Sequence, residues 1–301
     1  MNDAALHRVL RQTGPRLLDT LVRLPGADLT TLLLEVMRRR VAALAPADVL
    51  RRYRADRFTA PGAVSFRTLR RIEDAVLSAV PASYQLITCA PLVPLGTHAV
   101  LGELDQNRVV TTVRGSEVAA DPTTALALEA AYQRRRDRAG AVRLAAIQRV
   151  VRAQVFPPPG QPHFTLLALA SAGRDSGGRR FETEQVIEHL RILTTGARAA
   201  GHRSVRVRFT PLSPAFRQVV AAVAERLPEQ TEEDTTRDGA YYSGLRFAVD
   251  VRHDEGWLPV ADGGFVDWCG RLLADRRERL LTSGIGIDML ARGFDSDLAA
   301  G

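Results

Sequence analysis

Arg152 is the side chain whose surroundings best suit the binding of an anion. It follows an apolar, β-branched run that predicts a strand, and Phe164–Ala172 predicts a second, fully covered strand beside it. Residues 157–160, three prolines and a glycine, cannot continue a strand pairing, so the chain must turn and bring Arg152, Gln154 and His163 near one loop. A guanidinium in a covered sheet needs an anionic partner, either a bound ligand or an internal acid. The internal candidates are Glu182, Glu184 and Asp175.

Other residues have types suited to ligand binding, and each also has a simpler structural interpretation. Asp121 followed by Pro122 is typical of the cap and first turn of a helix. Tyr241 and Tyr242 offer amphipathic rings for a flat polar ligand, or else cover a sheet edge. Ala172–Gly178 predicts a mobile loop near the pocket mouth. The remaining candidates fit a turn, a helix cap or close packing of the backbone: Asp262, Asp267, Gly284 and Gly286.

The composition is that of an ordinary folded chain with excess positive charge. Of 301 residues, 46% are hydrophobic and 25% are charged, the formal net charge is +7, and no residue is lysine. The absence of lysine excludes a Schiff-base mechanism and a Walker-type phosphate loop, since both require that side chain. Cys89 and Cys269 lack the spacing of a disulfide framework or a zinc site, so we expect a cytoplasmic protein without a metal. We expect neither secretion nor membrane spanning, because no apolar leader or long apolar run is present.

The apolar periodicity predicts two parts. Residues 1–60 predict a helical N-terminal extension, and residues 61–301 predict a core domain. Helices and strands of the core follow no strict βαβ order, so we predict an α+β fold, a mostly antiparallel sheet flanked by helices. The individual predictions are helices over 66–80, 123–136, 182–200, 214–227 and 267–281, strands over 84–89, 109–113, 204–209, 245–251 and 257–260, and an acidic loop over 229–234.

Several stretches share their order and spacing with a known family. They are residues 66–91, 151–164, 237–247, 262–267 and 284–290. In this order they resemble motif 1, motif 2, the paired-tyrosine histidine-binding motif, the glycine-pair segment and motif 3 of class II aminoacyl-tRNA synthetases. Within that class the chain is similar to the histidyl-tRNA synthetase group, including its regulatory paralogue, the accessory subunit of ATP phosphoribosyltransferase. The resemblance implies a class II synthetase-like core and a homodimer formed across residues 66–91.

The resemblance also implies roles for individual side chains. In that family an amino-acid carboxylate attacks the α-phosphate of ATP, and arginines and magnesium meet the charge that grows on phosphorus. Arg152 would hold the α-phosphate, and Arg237 would be the second arginine at the reacting centre. Asp121 and Thr123 would hold the substrate ammonium, with Glu117 in that role in an alternative register. The other implied contacts are Gln154, Tyr241, Tyr242, Gly263 and Gly264 with the substrate, and Gly284 and Gly286 with the nucleotide.

The sequence departs from the family pattern where ATP would be bound. Met289 replaces the arginine that clamps the γ-phosphate, and a thioether cannot replace a guanidinium. Gln154 replaces a glutamate, and residues 156–162 contain no basic side chain. Arg246 and Arg292 are the candidates to compensate. The sequence ends just past the motif 3 stretch, so we expect no anticodon-binding domain, and the short stretch between Leu227 and Arg237 leaves no room for the family's insertion domain. We therefore do not expect the chain to charge tRNA.

Three functions follow from these patterns. The first is a regulatory or accessory protein that keeps an amino-acid pocket, has lost adenylation and acts on a partner enzyme. The second is a ligase that uses ATP with Mg²⁺ to activate an amino acid or small carboxylate for a non-ribosomal acceptor. The third is a nucleic-acid-binding protein acting through the arginine-rich helices of residues 1–58, which the first two outweigh because a solvated helix face explains those arginines.

Overall fold

One eight-stranded sheet organises the fold. The computed structural model describes residues 3–156, 160–175, 177–236, 241–253 and 256–292. The strands of these ranges are β1 (Gln85–Leu86), β2 (Leu92–Pro94), β3 (Ser116–Val118), β4 (Val142–Val151), β5 (His163–Arg174), β6 (Val205–Pro211), β7 (Gln230–Glu233), β8 (Leu245–His253), β9 (Gly256–Val266) and β10 (Glu278–Gly286). The large sheet has the order β1-β4-β5-β10-β9-β8-β6-β7, and β2 pairs with β3 separately.

The sheet is mostly antiparallel, and the predicted α+β fold is confirmed. Only the outer pairs, β1 with β4 and β6 with β7, run parallel. β4 and β5 pair antiparallel from Val142↔Ala172 to Val151↔His163, so the predicted hairpin around Arg152 is present. β5 also pairs with β10 along its length and is covered on both faces, as its continuous apolar sequence predicts.

Helices cover both faces of the sheet. They are α1 (Asp3–Thr13), α2 (Leu17–Arg23), α3 (Gly26–Ala42), α4 (Pro46–Ala55), α5 (Phe66–Ser78), α6 (Thr97–Gly102), α7 (Pro122–Arg136), α8 (Arg180–Ala199), α9 (Arg217–Ala224), α10 (Trp268–Leu273) and α11 (Ile287–Ala291). Successive residues of a strand face opposite sides. Leu167 and Leu169 of β5 therefore join the core under α5 and α8, whereas Ala168 and Ala170 join the core under α7 and α10.

The N-terminal residues form the predicted helices. None of the described side chains of α1–α4 is buried. Arg57, just after α4, donates hydrogen bonds to the carbonyl oxygens of Ala153 and Gln154, which ties this segment to the loop after β4. The proposed division of the chain at residue 60 stays a prediction.

Three predicted elements are wrong because long-range pairing overrides local composition. Residues 109–113 contribute an isolated bridge of Thr111 with Glu117 instead of a strand. Residues 267–281 are not one helix, since α10 ends where Ala274 takes a left-handed φ of 51° and the chain enters β10. The acidic residues 229–234 contain the edge strand β7, and its Glu232 side chain forms an ion pair with Arg206 of β6.

Other predicted boundaries need correction as well. The strand expected over residues 84–89 is reduced to the two residues of β1. β9 extends to Val266, so Asp262 and the glycine pair lie inside a strand and not at a turn. Ala172–Arg174 belong to β5 at the end opposite His163, which places this segment away from the loop after Arg152.

Candidate functional site

A cavity of about 530 Å³ lies on the α7 face of the sheet, beside the N-terminus of that helix. Its floor consists of Leu166 and Ala168 of β5 with Gly284 and Gly286 of β10. Three of these four, Ala168, Gly284 and Gly286, are small and leave space above the central strands. Polar side chains stand around this apolar floor, namely Asp121, Thr123, Arg152, Tyr241, Tyr242, Asp262 and Asp288. An apolar cleft with a few converging polar groups is the usual form of a small-molecule site.

Asp121 and Arg152 form an ion pair at the edge of this cavity. Asp121 is the N-cap of α7, as predicted, and its Oδ1 accepts hydrogen bonds from Thr123 N at 2.9 Å and Thr123 Oγ1 at 2.7 Å. Its Oδ2 accepts from Arg152 Nη2 at 3.2 Å. Arg152 Nε also donates to the carbonyl oxygen of Ala120 at 2.9 Å. The anionic partner of Arg152 within the chain is thus Asp121 and not an acid near the far end of β5.

The ion pair is held in place but remains open to a ligand. The Arg152 guanidinium lies over the ring of Phe164, 5.1 Å from its centroid, which restrains its orientation. The side chains of Arg152 and Asp121 are 30% and 26% exposed. A bound molecule that carries both charges can therefore reach both partners.

The two tyrosines form an aromatic wall of the cavity. The rings of Tyr241 and Tyr242 have centroids 4.5 Å apart, and Tyr241 also lies 5.4 Å from the ring of Trp268. Tyr241 Oη donates to Tyr242 Oη at 3.3 Å, and Tyr242 Oη donates to Asp262 Oδ2 at 3.5 Å. Burial raises the pKa of both hydroxyls, so both stay protonated at neutral pH. The wall thus offers flat surface and neutral hydroxyl groups.

Asp262 lines the cavity, although its sequence context favoured a turn. It faces the cavity from β9, opposite Gly284 of β10, and its side chain is 48% exposed. Arg246 of β8 lies 3.5 Å away and stacks over Tyr242 at 5.6 Å. The sequence feature that could have identified Asp262 is the two-residue periodicity of a strand. Asp262 is the charged residue on a face whose other residues are apolar, which is typical of a residue that lines a cavity.

The segment resembling motif 3 also reaches the cavity. Met289 and Arg292 line it, and a Cβ atom on Gly286 would lie 3.0 Å from the Met289 side chain. Asp288, which was not predicted as a site residue, accepts a hydrogen bond from Thr165 N at 2.7 Å. Met289 therefore occupies space over the C-terminal end of β10, beside the glycine predicted to contact a nucleotide.

The linker before α5 forms part of the cavity wall. Ala63 and Val64 line the cavity, and Ala63 N donates to Gln161 Oε1 at 3.0 Å. His163 Nδ1 accepts from Arg149 at 2.6 Å, so its Nε2 carries the proton and donates to Ala60 O at 2.7 Å. The linker is thus fastened to the strands that carry Arg152.

Other predicted site residues lie elsewhere. Glu117 is fully buried and accepts from Gly96 N, His98 N and Gln106, so Asp121 and not Glu117 lines the cavity. Gln154 does not contribute to the cavity lining. Gly263 and Gly264 pack against neighbouring strands and Tyr242, where a Cβ atom would lie within 2.7 Å of other atoms. Arg237 lies outside the described residues.

The described ranges contain neither a candidate metal cluster nor a candidate membrane-spanning helix. No group of three or more His, Cys, Asp or Glu side chains there is arranged to hold a metal ion. No described helix is both long and apolar enough to cross a membrane.

Comparisons with known proteins identify the fold. No protein-family model and no curated protein sequence matches the chain. A solved ATP phosphoribosyltransferase regulatory subunit/histidyl-tRNA synthetase from Bacillus halodurans C matches with a TM-score of 0.61 and 16% identity, covering 80% of this chain and 83% of that one. The apo histidyl-tRNA synthetase of S. aureus matches with a TM-score of 0.57 and 14% identity, covering 75% of this chain and 64% of that one.

A third structure agrees with these two. A histidine–tRNA ligase subunit from Alicyclobacillus acidocaldarius subsp. acidocaldarius DSM 446 matches with a TM-score of 0.59 and 15% identity, covering 78% of this chain and 95% of that one. Identities this low establish the fold alone. The chain has the class II aminoacyl-tRNA synthetase-like fold, as found in histidyl-tRNA synthetases and in this regulatory subunit.

Proposed function

We propose that this chain is a histidyl-tRNA synthetase-like paralogue that binds a histidine-like amino acid and acts as a regulatory or accessory protein. One observation carries the proposal: the Asp121–Arg152 pair and the neighbouring rings of Tyr241 and Tyr242 line a single cavity. An amino acid presents an ammonium and a carboxylate next to each other and a side chain beyond them. The cavity has complementary groups for all three.

The ammonium and carboxylate of the ligand would replace the contact that Asp121 and Arg152 make with each other. Asp121 would accept from the ammonium, and Arg152 would donate to the carboxylate. Both side chains are partly exposed, and exposed pairs contribute only about 0–1 kcal/mol, so separating them costs little. The Ala120 carbonyl and the Phe164 ring would keep Arg152 oriented while it changes partner.

The side chain of the ligand would lie against the tyrosines. A neutral imidazole has one hydrogen-bond donor and one acceptor. The Tyr242 hydroxyl can donate to the acceptor nitrogen, and Asp262 can accept from the ring N–H. A flat ring of this kind would also stack on the aromatic wall, which an aliphatic side chain cannot do equally well.

Calorimetric titration with histidine analogues tests the proposal. We expect L-histidine to bind at least tenfold more tightly than histidinol, which lacks the carboxylate, or imidazolepropionate, which lacks the ammonium, because each loses one charge-assisted contact. Arg152→Gln should lower histidine affinity and abolish the difference between histidine and histidinol. The matched control is Arg203→Gln, which changes an arginine outside the cavity. Equal affinities for all three compounds contradict the proposal.

A second candidate function is an ATP-dependent ligase that forms an aminoacyl adenylate for a non-ribosomal acceptor. It is favoured by Arg292, which lines the cavity three residues after Met289. Amino-acid-dependent pyrophosphate exchange in the presence of Mg²⁺ decides between the two functions. Robust exchange that Arg292→Gln removes contradicts the accessory function. Histidine binding without exchange contradicts the ligase function.

We further propose a homodimer formed across residues 66–91. Apolar side chains in and just after this segment are exposed, among them Phe66 at 76% and Leu86, Leu92 and Leu95. Apolar surface of this kind favours burial by a partner. Sedimentation equilibrium should give a dimer, and Phe66→Ser with Leu86→Ser should shift the mass toward that of the monomer. A wild-type chain that sediments as a monomer at micromolar concentration contradicts this dimer.

A further inference from the structure

A second cavity, of about 680 Å³, lies at the other end of β10. It is lined by the first turn of α8, the start of β10, and Phe216. Arg279 in this cavity and Gly284 in the first are five residues apart on β10, roughly 17 Å along the strand. The two cavities therefore present separate sets of side chains.

Arginines converge in this second cavity. Arg179 Nη1 and Arg279 Nε lie 3.5 Å and 3.4 Å from the same oxygen, Oε1 of Glu182. Arg276, the third, accepts a hydrogen bond through its carbonyl oxygen from Arg279 Nη1 at 2.6 Å. The Arg179 guanidinium is stacked over the ring of Phe216 at 4.2 Å. With Arg271, which pairs with Asp267 at 3.5 Å, four arginines line this pocket.

The two ion pairs to Glu182 in this cavity are longer than the ion pairs behind it. Glu278, which also lines the cavity, accepts from Arg134 Nε and Nη2 at 2.9 Å each and from Arg174 Nε at 3.0 Å. Its charge is thus balanced from outside the cavity, since neither arginine lines it. Arg279 has a second acid, Asp175, at 3.1 Å. Four arginines of the lining face its three acids, Glu182, Asp267 and Glu278, so the lining carries a small excess of positive charge.

Glu182 supplies an independent indication of a ligand. Its side chain is 1% exposed, and its Oε2 has no hydrogen-bond partner among the described residues. A buried carboxylate oxygen without a donor is costly, and native structures nearly always satisfy such atoms. After a rotation of the Glu182 carboxylate toward the cavity, a hydroxyl group of a bound molecule would supply the missing donor.

We propose that this second cavity binds a small phosphate monoester that carries a hydroxyl group. The phosphate would accept from Arg179, Arg276 and Arg279, because its terminal oxygens offer more acceptor sites than one carboxylate has. The hydroxyl would donate to Glu182 Oε2. The cavity volume is within the usual range for small-molecule sites.

Phosphorus-31 NMR titration of the full chain tests this site with two probes, glycerol 3-phosphate and methyl phosphate. Both should show saturable line broadening, and glycerol 3-phosphate should bind about tenfold more tightly because it alone has hydroxyl groups for Glu182. Arg276→Gln should weaken both probes about tenfold, since it removes one charged donor. Arg277→Gln is the matched control, because Arg277 is the next residue and does not line the cavity.

Glu182→Gln should reduce the preference for glycerol 3-phosphate over methyl phosphate to less than twofold. Absence of saturable broadening for both probes overturns the site, as does an equal loss of affinity in the Arg276 and Arg277 variants. Titration of the same samples with L-histidine keeps the outcomes separate, because failure at this cavity leaves histidine binding at the first one unchanged.

Discussion

Substitution of Asp121 separates its structural role from its proposed role in binding. The Oδ1 atom caps α7 through Thr123, and Oδ2 faces Arg152. Asparagine retains an oxygen for the cap but loses the charge, whereas alanine loses both. The two variants should therefore differ in stability but not in their loss of ligand affinity.

The magnitudes follow from these contacts. Loss of an N-cap carboxylate costs about 0.5–2 kcal/mol, and asparagine caps a helix about as well as aspartate. The pair with Arg152 is partly exposed and adds about 0–1 kcal/mol. We expect Asp121→Ala to lower the free energy of unfolding by about 0.5–3 kcal/mol and Asp121→Asn by at most about 1 kcal/mol. Both should weaken L-histidine binding at least tenfold, because the ammonium loses its carboxylate.

Urea denaturation followed by circular dichroism measures the stabilities, and calorimetry measures histidine affinity. Asp105→Ala is the control, because Asp105 caps a short 3₁₀ turn at residues 106–108 outside the cavity. It should leave histidine affinity unchanged. Histidine binding by Asp121→Asn within twofold of the wild type would refute the assignment of the ammonium site. An Asp121→Ala variant as stable as the wild type would refute the capping argument.

Three further predictions concern the fold. Glu278→Gln should lower the free energy of unfolding by about 3–5 kcal/mol, because it leaves Arg134 buried without its carboxylate. The double variant Glu278→Leu with Arg134→Met should recover most of that loss, as measured by urea denaturation. Gly264→Ala should destabilise by about 1–3 kcal/mol, since its Cβ atom would lie 2.6 Å from a carbonyl oxygen of β8, whereas Gly256→Ala meets nothing closer than 3.9 Å and should differ little in Tm. Burial lowers the pKa of His189 to about 3. Below pH 6.5 this imidazole therefore binds a proton in the unfolded chain but not in the folded chain. The free energy of unfolding should therefore fall by about 2 kcal/mol between pH 7 and pH 5 through this group, and His189→Gln should remove that part of the pH dependence.

Local sequence patterns located the parts of the site that depend on local structure. The Asp121-Pro122 pair predicted the start of α7, and the prolines after Arg152 predicted the turn between β4 and β5. Both predictions were correct: Asp121 caps α7, and β4 and β5 pair antiparallel on either side of the prolines. Such features depend on residues within a few positions of each other. The neighbouring strands then bring Arg152 next to Asp121, although 31 positions separate them in sequence.

The contributions that depend on long-range pairing were missed. Asp262 faces the cavity because β9 pairs with both β10 and β8. The sequence Asp262-Gly263-Gly264, taken alone, is typical of a turn, so this position in a strand was not predicted. Glu117 was a candidate for the ammonium site, but the chain folds around its carboxylate and satisfies it with backbone N–H groups. A single sequence cannot distinguish an acid that binds a ligand from one that orders a loop, because both require donors around the carboxylate.

The cavity and the core use alternate residues of the same strands, and this explains how the fold persists while the site changes. On β5, Leu167 and Leu169 pack under α8, whereas Leu166 and Ala168 form the cavity floor. Substitutions on the cavity face leave the other face packed, so strand pairing survives at identities near 15%. Met289 lies in α11, just after β10, where a changed side chain would alter the cavity lining without disturbing the register of the sheet. Activity must therefore be argued from Arg152, Asp121 and Met289, since the shared fold is compatible with both an enzyme and a ligand-binding paralogue.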